Sequence, residues 1–134
     1  MTHVCAGVRL ELADILEALR ALDYPAVDGV VGVRRGGAFV AGLVAAHLGV
    51  PLGFVTAQFR NDDHSPRFDS PRIDDFGSTP DGDHLLVVDD VAVTGATLTA
   101  VCEGLEARTT TLVIRGDADL VAYPDLTDCI HWPW

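Results

Sequence analysis

The chain contains no lysine. All nine of its basic side chains are arginine, at Arg9, Arg20, Arg34, Arg35, Arg60, Arg67, Arg72, Arg108 and Arg115. Against them stand 20 acids, for a net charge of −11. Such a surface repels nucleic acid and anionic membranes at long range, so neither is expected as a partner. Without lysine, the positive charge that an anionic substrate needs must come from arginine, from backbone N–H groups or from a metal. Long apolar runs are also missing: none approaches the roughly 20 residues of a membrane span. No basic segment followed by an apolar one opens the chain, so no signal peptide is expected. Cysteine is scarce. Cys5, Cys102 and Cys129 are odd in number, widely spaced and without a metal-ligand pattern. They suit a reducing, cytoplasmic setting, each as a small packing residue rather than a catalytic thiol. What remains is ordinary: 134 residues, 49% of them apolar, predict one domain over residues 1–134 with a substantial core.

Apolar patterning divides that domain into alternating helices and strands. Residues 10–22 carry Leu12, Ile15, Leu16 and Leu19 at helical spacing. Residues 27–33 are rich in valine and predict a strand after the turn at Tyr24 and Pro25. Arg34 to Gly37 read as a loop, and residues 38–48 as a helix of small residues closed by Gly49. A strand is expected over 52–57. Residues 58–83 are polar and contain Pro66, Pro71 and Pro80; a connection of this length is expected to be a functional lid or a disordered loop. Strands over 85–88 and 109–114 bracket a helix over 96–107. The tail, 116–134, reads as irregular and carries two tryptophans. Such alternation predicts an α/β fold, a parallel sheet flanked by helices on both faces. His47 and His84 lie beside apolar segments and are expected to be packed, while His64 and His131 are placed where they could touch a substrate.

The densest chemical signal lies over residues 84–98. Leu85, Leu86, Val87 and Val88 form an apolar run that ends in two acids, Asp89 and Asp90. A short loop through Ala92 and Val93 then closes on Thr94, Gly95, Ala96 and Thr97, where a helix begins. A helix N-terminus with free N–H groups, and a glycine that lets a ligand approach, is an anion cradle. Carboxylates placed just before it would repel a phosphate; they suit hydroxyls, a metal or a developing positive charge. A phosphorylated sugar satisfies both parts. The plain alternative is a nucleotide-fold strand end whose acids only cap the helix.

Four apolar residues, two acids and a loop ending Thr-Gly-x-Thr resemble the phosphoribosyl-pyrophosphate signature of the type I phosphoribosyltransferases. The resemblance implies that Asp89 and Asp90 hold the ribose hydroxyls, directly or through Mg2+, and serve catalysis. It also implies that Ala92, Val93, Thr94, Gly95, Ala96 and Thr97 hold the 5′-phosphate. A second motif, Arg34, Arg35, Gly36 and Gly37, ends a strand with two guanidinium groups and two glycines. It resembles the family's pyrophosphate-binding loop, in which a cis peptide often precedes the basic residue; here the Arg34–Arg35 bond is the candidate. The plain alternative is a surface turn whose arginines pair with nearby aspartates. In the family a loop at the place of residues 58–83 closes over the diphosphate and excludes water.

The tail closes on Trp132, Pro133 and Trp134. It resembles the hood of the small xanthine-guanine type of purine enzyme, an apolar segment ending in Pro-Trp that stacks on the base; Ile130, Trp132 and Trp134 would supply that face. Core packing is the plain alternative. Two departures stand out. The 6-oxopurine members place an acid immediately before Thr-Gly as the proton handler, and Val93 stands there instead. Their lysine after the last strand, which contacts the exocyclic oxygen, is replaced near that place by Arg115, which keeps the charge but not the geometry. The implied whole is a type I phosphoribosyltransferase-like α/β domain with a small C-terminal hood. It is expected to be a magnesium-dependent, homo-oligomeric, cytoplasmic enzyme of purine salvage that joins a purine-like base to phosphoribosyl pyrophosphate. The rivals are a transferase for a non-oxopurine base and a non-catalytic module that binds phosphoribosyl pyrophosphate or a nucleotide.

Overall fold

The computed structural model describes residues 7–58, 72–75 and 79–134. In chain order its elements are β1 (Val8–Arg9), α1 (Leu12–Ala21), β2 (Gly29–Arg34), α2 (Ala38–Leu48), β3 (Leu52–Gln58), β4 (Arg72–Asp75), β5 (His84–Val88), β6 (Val91–Ala92), α3 (Ala96–Gly104), β7 (Arg108–Val113), β8 (Arg115–Gly116), β9 (Leu120–Val121) and β10 (Ile130–His131). The main sheet runs β4-β3-β2-β5-β7-β9. Five of its strands are parallel, and only β4, at the edge, runs against its neighbour.

The central strands β2 and β5 are buried almost throughout because helices cover both faces. Successive side chains therefore feed two cores. Val30, Leu86, Val88 and Leu112 join Ile15 and Leu19 of α1 and Val40, Ala41 and Val44 of α2 on one face. Val31, Val33, Leu85, Val87 and Val113 join Leu98 and Val101 of α3 on the other. Each fully buried valine or leucine contributes roughly 1.5–3 kcal/mol, so stability concentrates at the centre that carries the two motif-bearing strand ends. Helix α2 lies close to the sheet: a Cβ at Gly32 would stand 2.6 Å from the Ala41 Cβ. It stops where expected, at Gly49, which is left-handed (φ 70°) and donates its N–H to Ala45 C=O.

The fold corrects the sequence reading in five places. The polar stretch 58–83 contains β4, which borrows its partner from β3 rather than from an apolar pattern of its own. Helix α3 ends at Gly104, with Leu105 already extended. The tail is not irregular: β9 extends the sheet beside β7, and β10 pairs in parallel with β1. His84 is packed as expected, donating through Nε2 to Thr110 Oγ1 (2.7 Å) while Nδ1 accepts from Arg108 Nη2 (3.2 Å). His47, however, is exposed, with its ring against Tyr24. Lastly, Cys129 is disulfide-bonded, whereas Cys102 is free. Arg60, His64 and Arg67 of the expected lid lie outside the described residues.

Candidate active site

In a parallel sheet the loops that leave the carboxyl ends of two adjacent strands in opposite directions open a crevice between them. Here that divergence falls between β2, which crosses through α2 to β3, and β5, which crosses through α3 to β7. Both motifs lie at these two strand ends.

At the end of β2 the Arg34–Arg35 peptide is cis. The two arginines have different surroundings. Arg34 is half-buried and held on β3, with Nε donating to Thr56 Oγ1 (3.1 Å) and its guanidinium 5.6 Å from the centre of the Phe54 ring. Arg35 is exposed. The glycines that follow are dictated by close approach. A Cβ at Gly37 would stand 2.6 Å from the Val88 carbonyl oxygen and 2.7 Å from Asp89 Cα. At Gly36 it would stand 2.5 Å from Asp90 Oδ2. The Gly37 N–H is already donated to Val33 C=O (2.8 Å), so this glycine supplies proximity rather than the phosphate donor expected of it.

At the end of β5 the turn bearing the acids is fixed by its backbone. Asp89 N–H donates to Leu112 C=O, and Asp90 C=O accepts from Ile114 N–H (2.9 Å) and Arg115 N–H (3.3 Å). Each carboxylate takes the next backbone N–H: Asp90 N–H donates to Asp89 Oδ1 and Val91 N–H to Asp90 Oδ1, both at 2.8 Å. Burial, then the hydrogen bond and charge of the Asp90 side chain, push the Asp89 carboxyl up to about 8, against the lowering effect of the Asp90 N–H.

The loop that follows is held by a short ladder. β6 pairs with β8, Ala92 C=O accepts the Asp117 N–H (3.0 Å), and Gly116 lies hard against the Ala92 backbone. Ala92 is buried, so it supports the loop rather than lining it. Val93 is 76% exposed. Thr94 Oγ1 accepts the Ala96 N–H (3.2 Å). Gly95 is left-handed (φ 77°), and a Cβ there would stand 4.0 Å from Asp117 O and Oδ2, the nearest atoms beyond its chain neighbours. No acid occupies the first turn of α3, although the Asp117 carboxylate lies beside its N-cap, Gly95. Asp89, Asp90, Gly36, Gly37 and the 92–97 loop thus converge on one crevice.

The tail residues gather differently. Ile130 and Trp132 pack on the core face of α1 and α2. The Trp132 and Trp134 rings stack 5.1 Å apart, and Trp134 stacks in turn on Phe39 at 4.6 Å. Arg115, expected to read an exocyclic atom, instead turns its Nη1 to the carbonyls of Thr127 and Asp128. The sequence reading missed Phe39, an aromatic in the first turn of an otherwise small-residue helix, two positions after Gly37. That mismatch of size was its signal.

Residues 11–115 match the family model of the phosphoribosyl transferase domain. The xanthine-guanine phosphoribosyltransferase of Idiomarina loihiensis is 31% identical over 123 residues, covering 87% of this chain and 76% of that protein. The bifunctional protein PyrR of Pseudomonas entomophila is 35% identical over 79 residues, 56% of this chain and 46% of that protein. A solved purine phosphoribosyltransferase from Pyrococcus horikoshii shares the fold, with a TM-score of 0.70 at 23% identity over 96% of this chain and 93% of its own.

Proposed function

The chain belongs to the phosphoribosyl transferase domain family and is a pentosyltransferase, and from that premise we propose that it joins a purine-like base to C1 of phosphoribosyl pyrophosphate and releases pyrophosphate. One contact carries the reading: Gly36 lies directly against the Asp90 carboxylate. That contact brings the arginine-glycine loop, the two acids and the helix N-terminus around one crevice. A ribose 5-phosphate with an anionic leaving group at C1 matches this set. Its 5′-phosphate takes the N–H groups at the start of α3, with Thr94 and Thr97 hydroxyls beside them. Its ring hydroxyls take Asp89 and Asp90. Its pyrophosphate takes exposed Arg35, while Arg34, held on Thr56 and Phe54, sets the course of the loop.

Magnesium fits these residues. Asp89 is a buried carboxyl beside a second one, a pair that a divalent cation relieves. Among the described residues no group of three or more His, Cys, Asp or Glu gathers to hold a metal. Magnesium suits such a site, since it is typically bound by one or two carboxylates and completed by substrate oxygens and water. When bound it would neutralise charge on the pyrophosphate leaving group. As the C1–oxygen bond breaks and the base nitrogen bonds to C1, positive charge develops on the ribose ring. Asp89 and Asp90, each fixed by the N–H of the following residue, offset it without reorganising.

For the base we propose an oxopurine, xanthine or guanine first. The support is the relative from Idiomarina loihiensis and the aromatic tail beside the crevice. Exposed Val93 neither accepts nor delivers a proton, which favours a base that arrives already ionised, as xanthine does more readily than adenine. The same valine supports the second reading, a transferase for a base other than an oxopurine. Steady-state turnover with magnesium should be compared for xanthine, guanine, hypoxanthine, adenine, uracil and orotate across pH. The expected result is highest kcat/KM for xanthine or guanine. A pyrimidine preference sinks the base assignment and leaves the sugar-phosphate half standing; no turnover with any base leaves a binding module. A homo-oligomer remains part of the proposal, with sedimentation velocity as its check.

A further inference from the structure

We propose that Arg115 is a positioning residue that clamps the tail over the crevice. The side chain begins where the acid-bearing turn ends. Its backbone N–H reaches Asp90 C=O (3.3 Å), and β8 is paired with β6. From that anchor Nη1 donates to two successive carbonyls, Thr127 (3.0 Å) and Asp128 (2.8 Å). A charged donor held by two backbone acceptors is a directional link. Nε is buried and makes no hydrogen bond, so that nitrogen offers almost no surface for a base to touch.

The gripped carbonyls lie immediately before the segment that needs holding. The next carbonyl, of Cys129, accepts Val8 N–H (2.7 Å), and His131 C=O accepts Leu10 N–H (3.3 Å), which lays β10 beside β1. Beyond it come Trp132 and Trp134. β10 is only two residues long, and a ladder of that size cannot fix the tail by itself. The Cys129 disulfide and the packing of Ile130 and Trp132 hold the tail elsewhere; the guanidinium ties it to the turn that carries Asp90. A lysine would not replace it: its ammonium would fall near the position of Cζ, one bond short of Nη1, and lacks the fixed fork that meets both carbonyls.

The proposal rests on the reading of the tail as the cover of the base subsite, and its test separates the two. Arg115→Lys and Arg115→Gln should be compared with the wild type by amide hydrogen exchange without ligand. Near-ultraviolet circular dichroism would report on the stacked tryptophans. Exchange over residues 8–10 and 126–134 is expected to rise roughly tenfold in both variants while β2 and β5 keep wild-type protection. The tryptophan signal should fall, and KM for the base should rise with KM for phosphoribosyl pyrophosphate unchanged. Lysine should fail to rescue, whereas a base-reading cation would be rescued by it. Unchanged exchange in both variants overturns the clamp, whatever the kinetics, and so does loss of protection in β2 and β5, which would make Arg115 a general stabiliser. Faster tail exchange with an unchanged base KM upholds the clamp and removes the tail from the base subsite.

Discussion

The two halves of the crevice are built from different materials. The half proposed for the sugar phosphate is made largely of backbone. Gly37 rests on the Val88 carbonyl and Asp89 Cα, Gly36 rests on the Asp90 carboxylate, and the anion cradle is a helix N-terminus. The half proposed for the base draws on side chains from distant parts of the chain: Phe39 from α2, Arg115 from β8, and Trp132 and Trp134 from the tail. Backbone contacts at van der Waals distance admit one residue type and leave no tolerance. Side-chain contacts between elements can be repacked. The first half should therefore fail abruptly under substitution, and the second by degrees.

The sharpest test of that contrast is Gly37→Ala. The new Cβ meets three backbone atoms within 2.8 Å, none at the end of a flexible side chain. Overpacking of this kind costs about 1–3 kcal/mol or more. The melting temperature should drop and turnover should vanish together; an active variant of wild-type stability would break the argument that proximity, not donation, is the role of Gly37. Next in size are Asp89→Asn and Asp90→Asn. Losing one fixed electrostatic contact to a transition state costs about 3 kcal/mol of barrier, so kcat should fall on the order of 100-fold while the fold is retained. Variants that turn over at the wild-type rate would remove the acids from the chemistry.

The third test varies pH. Asp89 is pushed up to about 8 in the folded protein, whereas an unfolded aspartate titrates near 4. Between those values the folded chain holds a proton that the unfolded chain has released. Ligand-free stability should therefore fall as pH rises from about 4 to about 8, and level off above. Asp89→Asn should flatten that slope in thermal melts. Magnesium must displace the same proton, so its affinity, measured by calorimetry with phosphoribosyl pyrophosphate present, should rise over the same interval. A wild-type melting curve independent of pH would show that the Asp89 carboxyl is not held protonated. Smallest is Phe39→Leu. It removes one ring from the stack with Trp134 and leaves the arginine-glycine loop intact, so KM for the base should rise only a few-fold, the effect of roughly 0.5–1.5 kcal/mol. A change in KM for phosphoribosyl pyrophosphate instead would show that the two halves are not separate.

The same contrast explains which parts were legible in the sequence. The strand-acids-loop-helix order over 84–98 and the Arg-Arg-Gly-Gly loop are local patterns, and both stand where expected, the cis bond at Arg34–Arg35 included. Helix α2 was read to the residue because Gly49 marks its end. The base half was less legible because its contacts join residues far apart in the chain. β10 is a strand only because β1 lies beside it, and β4 only because β3 does. Arg115 carried the right charge for a base contact, but its direction is set by two carbonyls in a turn whose position local sequence does not announce. His47 was misjudged for a related reason: it belongs to an apolar helix but lies on the side turned to solvent.

The two-residue ladder between β6 and β8 makes one lever of two loops. The arm after β5 carries the phosphate cradle, and the arm after β7 carries Arg115 and, through it, the tail. In the function proposed above, a nucleotide would have its phosphate on one arm and its base under the other, so a single body would grip it and it would depart in one movement. Pyrophosphate would rest on the loop after β2, which touches that body across the glycine contacts at Gly36 and Gly37. The expected order of departure is pyrophosphate first and nucleotide last, with lever opening as the slow step of the cycle, and product-inhibition patterns would read that order directly.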